Sequence, residues 1–167
     1  MTRTLTAPVR RALRAGDRDA IERMTRDVGV FQPYEVPVAL EVFDASLRPG
    51  QTDYETEGAE VDGRLAGWIC WGMTPCTEGT WDLYWLAVDP ALHGAGVGTA
   101  LVEAMERRLA GRARLIVVET GGRPAYDGTR AFYLARGYHV AATIPDFYAP
   151  GDAQVVFVKA LTSPSRA

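Results

Sequence analysis

Apolar positions along the chain recur at two kinds of spacing, and the changes between them mark the elements. Between Asp17 and about Val28, Ala20, Ile21 and Met24 fall at the spacing of one helix face. Gly16-Asp17 ahead of them supplies a start signal with acids in the first turn. A second helix is expected from about Val36 to Leu47, with Val38, Val42 and Phe43 inward and Pro49-Gly50 as its end. Val9–Leu13, before both helices, reads as a strand. Two further runs, Tyr54–Val61 and Leu65–Met73, flank Asp62-Gly63, a dipeptide suited to a type I′ hairpin turn. After a loop at Pro75–Gly79, Trp81–Val88 is rich in aromatic and β-branched residues and reads as a buried strand stopped by Asp89-Pro90. Val97, Leu101, Met105 and Leu109 return at helical spacing, which predicts a helix from about Gly96 to Ala110. Leu115–Thr120 is another apolar strand, and Thr129–Arg136 a short helix closed by Gly137. Tyr138–Ile144 and Val155–Leu161 complete the series as strands.

The resulting order is β-α-α-β-β-β-α-β-α-β-β. Hairpins and helix crossovers within one sheet imply an α+β fold, a mixed, mainly antiparallel seven-stranded sheet flanked by about four helices. The chain has 167 residues, of which 47% are hydrophobic, so one domain spanning 1–167 with a sizeable core is expected. The strand–helix–strand unit from Trp81 to Thr120 is the place for a phosphorylated ligand.

Charge narrows the partners. A net charge of -3 supplies no basic stripe for a phosphate backbone, so nucleic acid is not expected as a partner. The segment from Glu35 to Asp62 holds eight acids (Glu35, Glu41, Asp44, Asp53, Glu55, Glu57, Glu60, Asp62) against Arg48 alone. Such a tract either forms a solvated face or draws a cationic ligand such as a protonated amine. Cys70 and Cys76 form no CxxC pair, and no His stands at metal-ligand spacing from them, so reduced cysteines and no metal site are expected. Met1–Arg14 has no apolar run of signal-peptide length, and no stretch approaches the ~18 apolar residues of a membrane span. A soluble, cytoplasmic protein follows as the expectation. The seventeen arginines against one lysine point to a GC-rich bacterial genome.

The strongest chemical signal lies between the fourth strand and the third helix, in His93-Gly94-Ala95-Gly96-Val97-Gly98 followed by Thr99. Three glycines within five positions, directly before a helix, can turn several backbone N–H groups toward one point. The first turn of a helix adds unpaired N–H groups and the positive dipole end, so that point attracts an anion. The Gly-Lys-Ser/Thr of a P-loop is missing, and the glycine spacing is not that of a dinucleotide fingerprint.

This frame, preceded by Val88-Asp89-Pro90, resembles the coenzyme A loop of the GNAT superfamily of N-acetyltransferases, with His93 where that family has Gln or Arg. Thr129–Tyr138 (TRAFYLARGY) is similar to the family's later helix, although Tyr126 stands where an Asn is common. The resemblance spans about Tyr54 to Tyr138. It implies acetyl-CoA as acyl donor, held by His93, Gly94, Ala95, Gly96, Val97, Gly98 and Thr99, with no metal. It also implies backbone donors at Leu86, Ala87 and Val88 for pantetheine and the developing oxyanion. The implied reaction is direct transfer of an acetyl group to a primary amine of a small molecule or protein, and the family allows a homodimer.

Such a transfer needs proximity, a neutral amine and a protonated leaving thiolate. The resemblance assigns the leaving-group proton to Tyr133, whose phenol, with a pKa near ~10, can give a proton to a thiolate at neutral pH. For the amine's proton two carboxylates stand open. Asp82 shares a strand face with Tyr84, Leu86 and Val88 and matches the place where some family members have a glutamate base. Glu119 closes the following strand. Two other readings remain, a non-catalytic acyl-CoA sensor and a nucleotide-binding module. Trp68, Trp71, Trp81 and Trp85 read as core or pocket wall, and His139 as an exposed strand residue.

Overall fold

The computed structural model describes residues 6–161. Met1–Leu5, the start of the amino-terminal stretch read above, lie outside them. Seven strands stand in the order β1-β2-β3-β4-β5-β7-β6, with four α-helices between them along the chain. The described residues fall into two compact units, one of 6–72 and Trp85–Arg108, the other of Met73–Tyr84 and 109–161.

The first unit carries β1 (Val9–Arg11), α1 (Arg18–Asp27), α2 (Glu35–Ser46), β2 (Glu55–Val61), nearly all of β3 (Arg64–Met73), the last residues of β4 (Thr80–Val88) and α3 (Val97–Leu109). β1, β2 and β3 pair antiparallel in sequence. Asp62 and Gly63 both take positive φ, 52° and 76°, the backbone a type I′ turn requires. The core gathers Ile21 and Met24 from α1, Ala39, Leu40 and Phe43 from α2, and Trp68 and Cys70 from β3. Trp68 stacks on Trp85 (centroids 6.5 Å, planes 12° apart) and gives its indole N–H to Thr25 Oγ1 at 3.3 Å. On α2 the expectation fails in one position. Val38 is exposed, because the buried stripe is Val36, Ala39, Leu40 and Phe43, and Val38 lies across the helix from it.

Gly67 on β3 has no side chain for a packing reason. A Cβ there would meet Val97 Cγ1 at 2.8 Å and Leu101 Cδ1 at 3.1 Å. The missing atom lets the amino-terminal half of α3 lie directly against the strand. Burying Leu101 and Met105, both fully covered, contributes about 1.5–3 kcal/mol each to holding it there.

The second unit carries the start of β4, β5 (Leu115–Gly121), α4 (Asp127–Leu134), β6 (His139–Ala149) and β7 (Asp152–Ala160). β4 pairs parallel with β5 over Thr80–Leu83 against Leu115–Val118 and continues to Val88. β7 lies antiparallel between β5 and β6. α4 starts at Asp127, two residues before the expected Thr129, after a 3₁₀ turn at Pro124–Tyr126. Gly137 ends it with φ 82°, and Tyr138 N–H donates back to Tyr133 O at 3.1 Å.

The last hairpin corrects the reading most. β6 runs through Pro145 to Ala149, not to Ile144, and β7 starts at Asp152, not Val155. A proline without an N–H is tolerated here because β6 is an edge strand. The register also jumps between Ile144↔Gln154 and Ala149↔Asp152, so Pro145–Tyr148 bulge out, with Asp146 at φ 55°. Asp146 Oδ1 accepts from Gly151 N–H at 2.7 Å and braces the turn.

Candidate active site

The glycine loop lies in the first unit; Asp82, Glu119 and Tyr133 lie in the second. Asp89 and Pro90 open a 3₁₀ turn over Pro90–Leu92, with Asp89 Oδ1 accepting from Ala91 N–H at 2.9 Å. His93 then folds its ring back, its Nε2 3.2 Å from Val88 O, so this side chain shapes the loop by tying it to the strand end. Gly94 and Gly96 take φ 81° and 80°, which L side chains rarely adopt, and no atom lies within 4 Å of a Cβ built on either. The first bond of the helix runs from Ala100 N–H to Gly96 O (2.9 Å). Helix geometry leaves the N–H groups of the preceding turn without intrahelical acceptors, at the positive end of the dipole. An open glycine bend of this kind fits a diphosphate, whose oxygens need close, uncharged donors.

On β4 the two faces separate as the alternation requires. Trp81, Leu83 and Ala87 are buried, while Asp82, Tyr84, Leu86 and Val88 are more open. Trp68 and Trp71 are fully buried core, and Trp81 packs under the Arg112 guanidinium at 4.6 Å. His139 is exposed on the edge strand.

Tyr133 is buried on the inner side of α4. Its ring meets Tyr138 at 5.4 Å, Phe132 at 5.2 Å and Phe157 at 6.0 Å. Burial pushes its phenol well above the ordinary tyrosine range, against a smaller opposing effect of the Arg136 charge. A phenol in that state keeps its proton at neutral pH until a strong base is presented.

Asp82 and Glu119 are brought together. Asp82 stands opposite Val117, and Glu119 is two residues further along β5 on the same face. Desolvation, and then the charge of Asp82, raise the Glu119 carboxyl above the usual range, while a hydrogen bond from the Gln154 side chain opposes them. Glu119 remains open to solvent, so the desolvation is partial. Asp82 has an oxygen committed, since Oδ2 accepts from Thr74 Oγ1 at 2.6 Å. Neither Thr74 nor Gln154 was legible as part of this site. The available signal for Gln154 was a lone amide directly before the apolar run Val155–Val158, but its partner depends on the β5–β7 register.

The acidic tract is less of a free negative field than its sequence implies. Asp44, Glu57 and Glu60 pair with arginines from outside the tract, namely Arg18 (3.1 Å), Arg108 (2.8 Å) with Arg10 (3.4 Å), and Arg11. Among the described residues no group of three or more His, Cys, Asp or Glu side chains is placed to hold a metal ion, and no helix is long and apolar enough to cross a membrane.

The chain is similar to known proteins. The model of the acetyltransferase (GNAT) family matches residues 21–138. An uncharacterized N-acetyltransferase of Methanocaldococcus jannaschii is 29% identical over 143 residues, 86% of this chain and 85% of its own. A crystal structure from Desulfovibrio desulfuricans, of a protein assigned to the GNAT family, is 34% identical with a TM-score of 0.85, covering 95% of this chain and all of that one. A Salmonella typhimurium structure, solved with acetyl-CoA as its cofactor, shares the fold at 18% identity and a TM-score of 0.72, covering 96% and 97% of the two chains.

Proposed function

The chain belongs to the acetyltransferase (GNAT) family, and from that premise we propose that it transfers an acetyl group from acetyl-CoA directly to a primary amine of a small molecule or protein. The observation that carries this reading is the open, positive-φ glycine bend at Gly94 and Gly96 leading into α3. Its backbone donors, with Val97, Gly98 and Thr99 in the first turn, would hold the diphosphate of the donor. The acetyl-CoA bound by the Salmonella relative supports the choice of ligand. Backbone groups of Leu86, Ala87 and Val88 would line the thioester, which is the activated acyl bond the donor supplies.

This chain's own side chains would then move two protons. The acceptor arrives as an ammonium with a pKa near ~10 and must lose its proton before it can attack. Glu119 is the better acceptor of the two carboxylates. Its partial burial and the Asp82 charge raise its basicity, while Asp82 is engaged by Thr74. Tyr133 would give its phenolic proton to the departing sulfur; burial holds that proton in place beforehand but also weakens the acid, so the transfer draws on the full charge developing on the sulfur. The protein would act in the cytoplasm, where acetyl-CoA is available, and as a monomer or homodimer. The ion pairs at Asp44, Glu57 and Glu60 leave less of the acidic tract to attract a multiply charged acceptor, which favours a singly charged one.

Titration calorimetry with acetyl-CoA, followed by thiol release with a panel of primary amines, tests the reading. Binding and amine-dependent thiol release are expected, and Tyr133→Phe should slow release on the order of ten- to a hundredfold with donor affinity kept. Donor binding with no release across the panel would favour a sensor domain instead. Absence of binding to the folded protein would end the proposal.

A further inference from the structure

Three strands of the second unit place polar side chains in one diagonal line. Glu119 on β5 stands opposite Val156 on β7, and Gln154 on β7 stands opposite Gly121 on β5. Glu119 and Gln154 therefore share a face and are diagonal neighbours. Asp82 on β4 faces Val117 and flanks Glu119 from the other side. Gln154 is 4% exposed, in a strand whose neighbours Val155 and Phe157 are buried apolar residues. A buried amide costs free energy unless it is bonded, and the Glu119 carboxylate is the polar side chain diagonal to this one on the same face.

We infer that Gln154 is a positioning residue for the proton acceptor, holding the Glu119 carboxylate aimed and ionised by a hydrogen bond from its side-chain amide. The inference rests on the reading of Glu119 given above. The two flanks act in opposite directions. Asp82 repels the ionised carboxylate and makes it more basic, and Gln154 stabilises the same ionised form. The two neighbours therefore pull the same carboxyl in opposite directions.

Tyr126 of the 3₁₀ turn reaches that face, its ring packed over Gly121, the residue opposite Gln154. Tyr84 follows Asp82 on the same face of β4, and Val156 and Val158 on β7 carry no charge. Asp152, two residues along β7 from Gln154, is paired with Arg123 Nε at 3.0 Å. Arg130 of α4 gives Nη1 to Gly121 O at 2.6 Å and to Arg123 O at 3.2 Å. Asp82 and Gln154 are the side chains that flank Glu119 from the two adjacent strands.

The test is a carbon-13 carboxyl titration of the full chain, with the Glu119 signal assigned by its loss in Glu119→Gln. In the native protein the side-chain amide protons of Gln154 should shift with the Glu119 midpoint. In Gln154→Leu and Gln154→Met that midpoint should move upward, lowering the acid dissociation constant on the order of three- to tenfold. With an amine accepted in the panel, kcat/KM of these variants should fall by a similar factor at acid pH and recover at alkaline pH. A purely structural residue would lower it equally at every pH. An unmoved midpoint, or amide protons that ignore the transition in the native protein, overturns the inference even if neither variant folds. Full turnover in Glu119→Gln would instead remove the proton-acceptor reading on which the inference stands.

Discussion

The glycine bend before α3 and the carboxylate row across β4, β5 and β7 solve opposite problems with opposite materials. In the proposed reaction the bend would meet a fixed, strongly charged group, with main-chain donors exposed by the absence of side chains at Gly94 and Gly96. In the proposed reaction the row would gain and lose a proton. It would do so with side chains whose charge depends on neighbours on the adjacent strands. The first is tuned by backbone conformation and is indifferent to pH. The second is tuned by electrostatics and can be reset by one substitution.

Substitutions can separate the two. The largest effect is expected from Glu119→Gln, which keeps the shape and removes the base. Turnover should fall on the order of 10²–10⁴-fold in a thiol-release assay, while calorimetry shows unchanged donor affinity. A loss of affinity there would mean that the two regions are not functionally separate. Gly96→Val comes next. It forces a β-branched residue to φ 80°, at a cost of about 1–3 kcal/mol, so donor affinity should weaken roughly five- to 150-fold without moving the pH profile. Gly98→Ala sharpens the result. Gly98 lies inside α3 and carries no positive φ, so any affinity lost there reports how closely the ligand approaches the backbone.

The smallest effect is on stability. The folded-state carboxyl of Glu119 titrates above its ordinary value, so the native state binds that proton more readily than the unfolded chain does. Its contribution to stability therefore declines as pH rises through the raised value. Glu119→Gln should melt slightly higher than the native protein at neutral pH. The difference should close below the ordinary glutamate range, near ~4.3, in parallel thermal scans.

The bend was legible because its requirements are local. Positive φ asks for glycine, and Val97, Leu101, Met105 and Leu109 mark the helix by spacing alone. The Asp62-Gly63 turn was legible for the same reason. The carboxylate row was legible only in its members Asp82 and Glu119. What joins Glu119 to Gln154 is the lateral register of strands distant in sequence, which no spacing along one strand encodes, and Thr74 reaches Asp82 from the loop between β3 and β4. The extension of β6 was hidden in the same way. Pro145 stops a strand in most places, and only its position at the sheet edge makes it harmless. Val38 was misplaced because Val38, Val42 and Phe43 satisfy helical spacing nearly as well as the true stripe does. Arginines that neutralise the acidic tract, such as Arg108 on α3, also come from outside the window in which it was read.

The outermost strand has a consequence for handling the protein. Val140, Ile144, Phe147 and Tyr148 all reach solvent along β6, which would ordinarily invite stacking by a second molecule. Pro145 withholds a donor at the midpoint, and the left-handed Asp146 throws the following residues out of register. A foreign strand could therefore zip along only a short length before losing its ladder. Concentrated stocks should stay clear of fibrils, and replacing Pro145 with a valine should be the quickest way to spoil them.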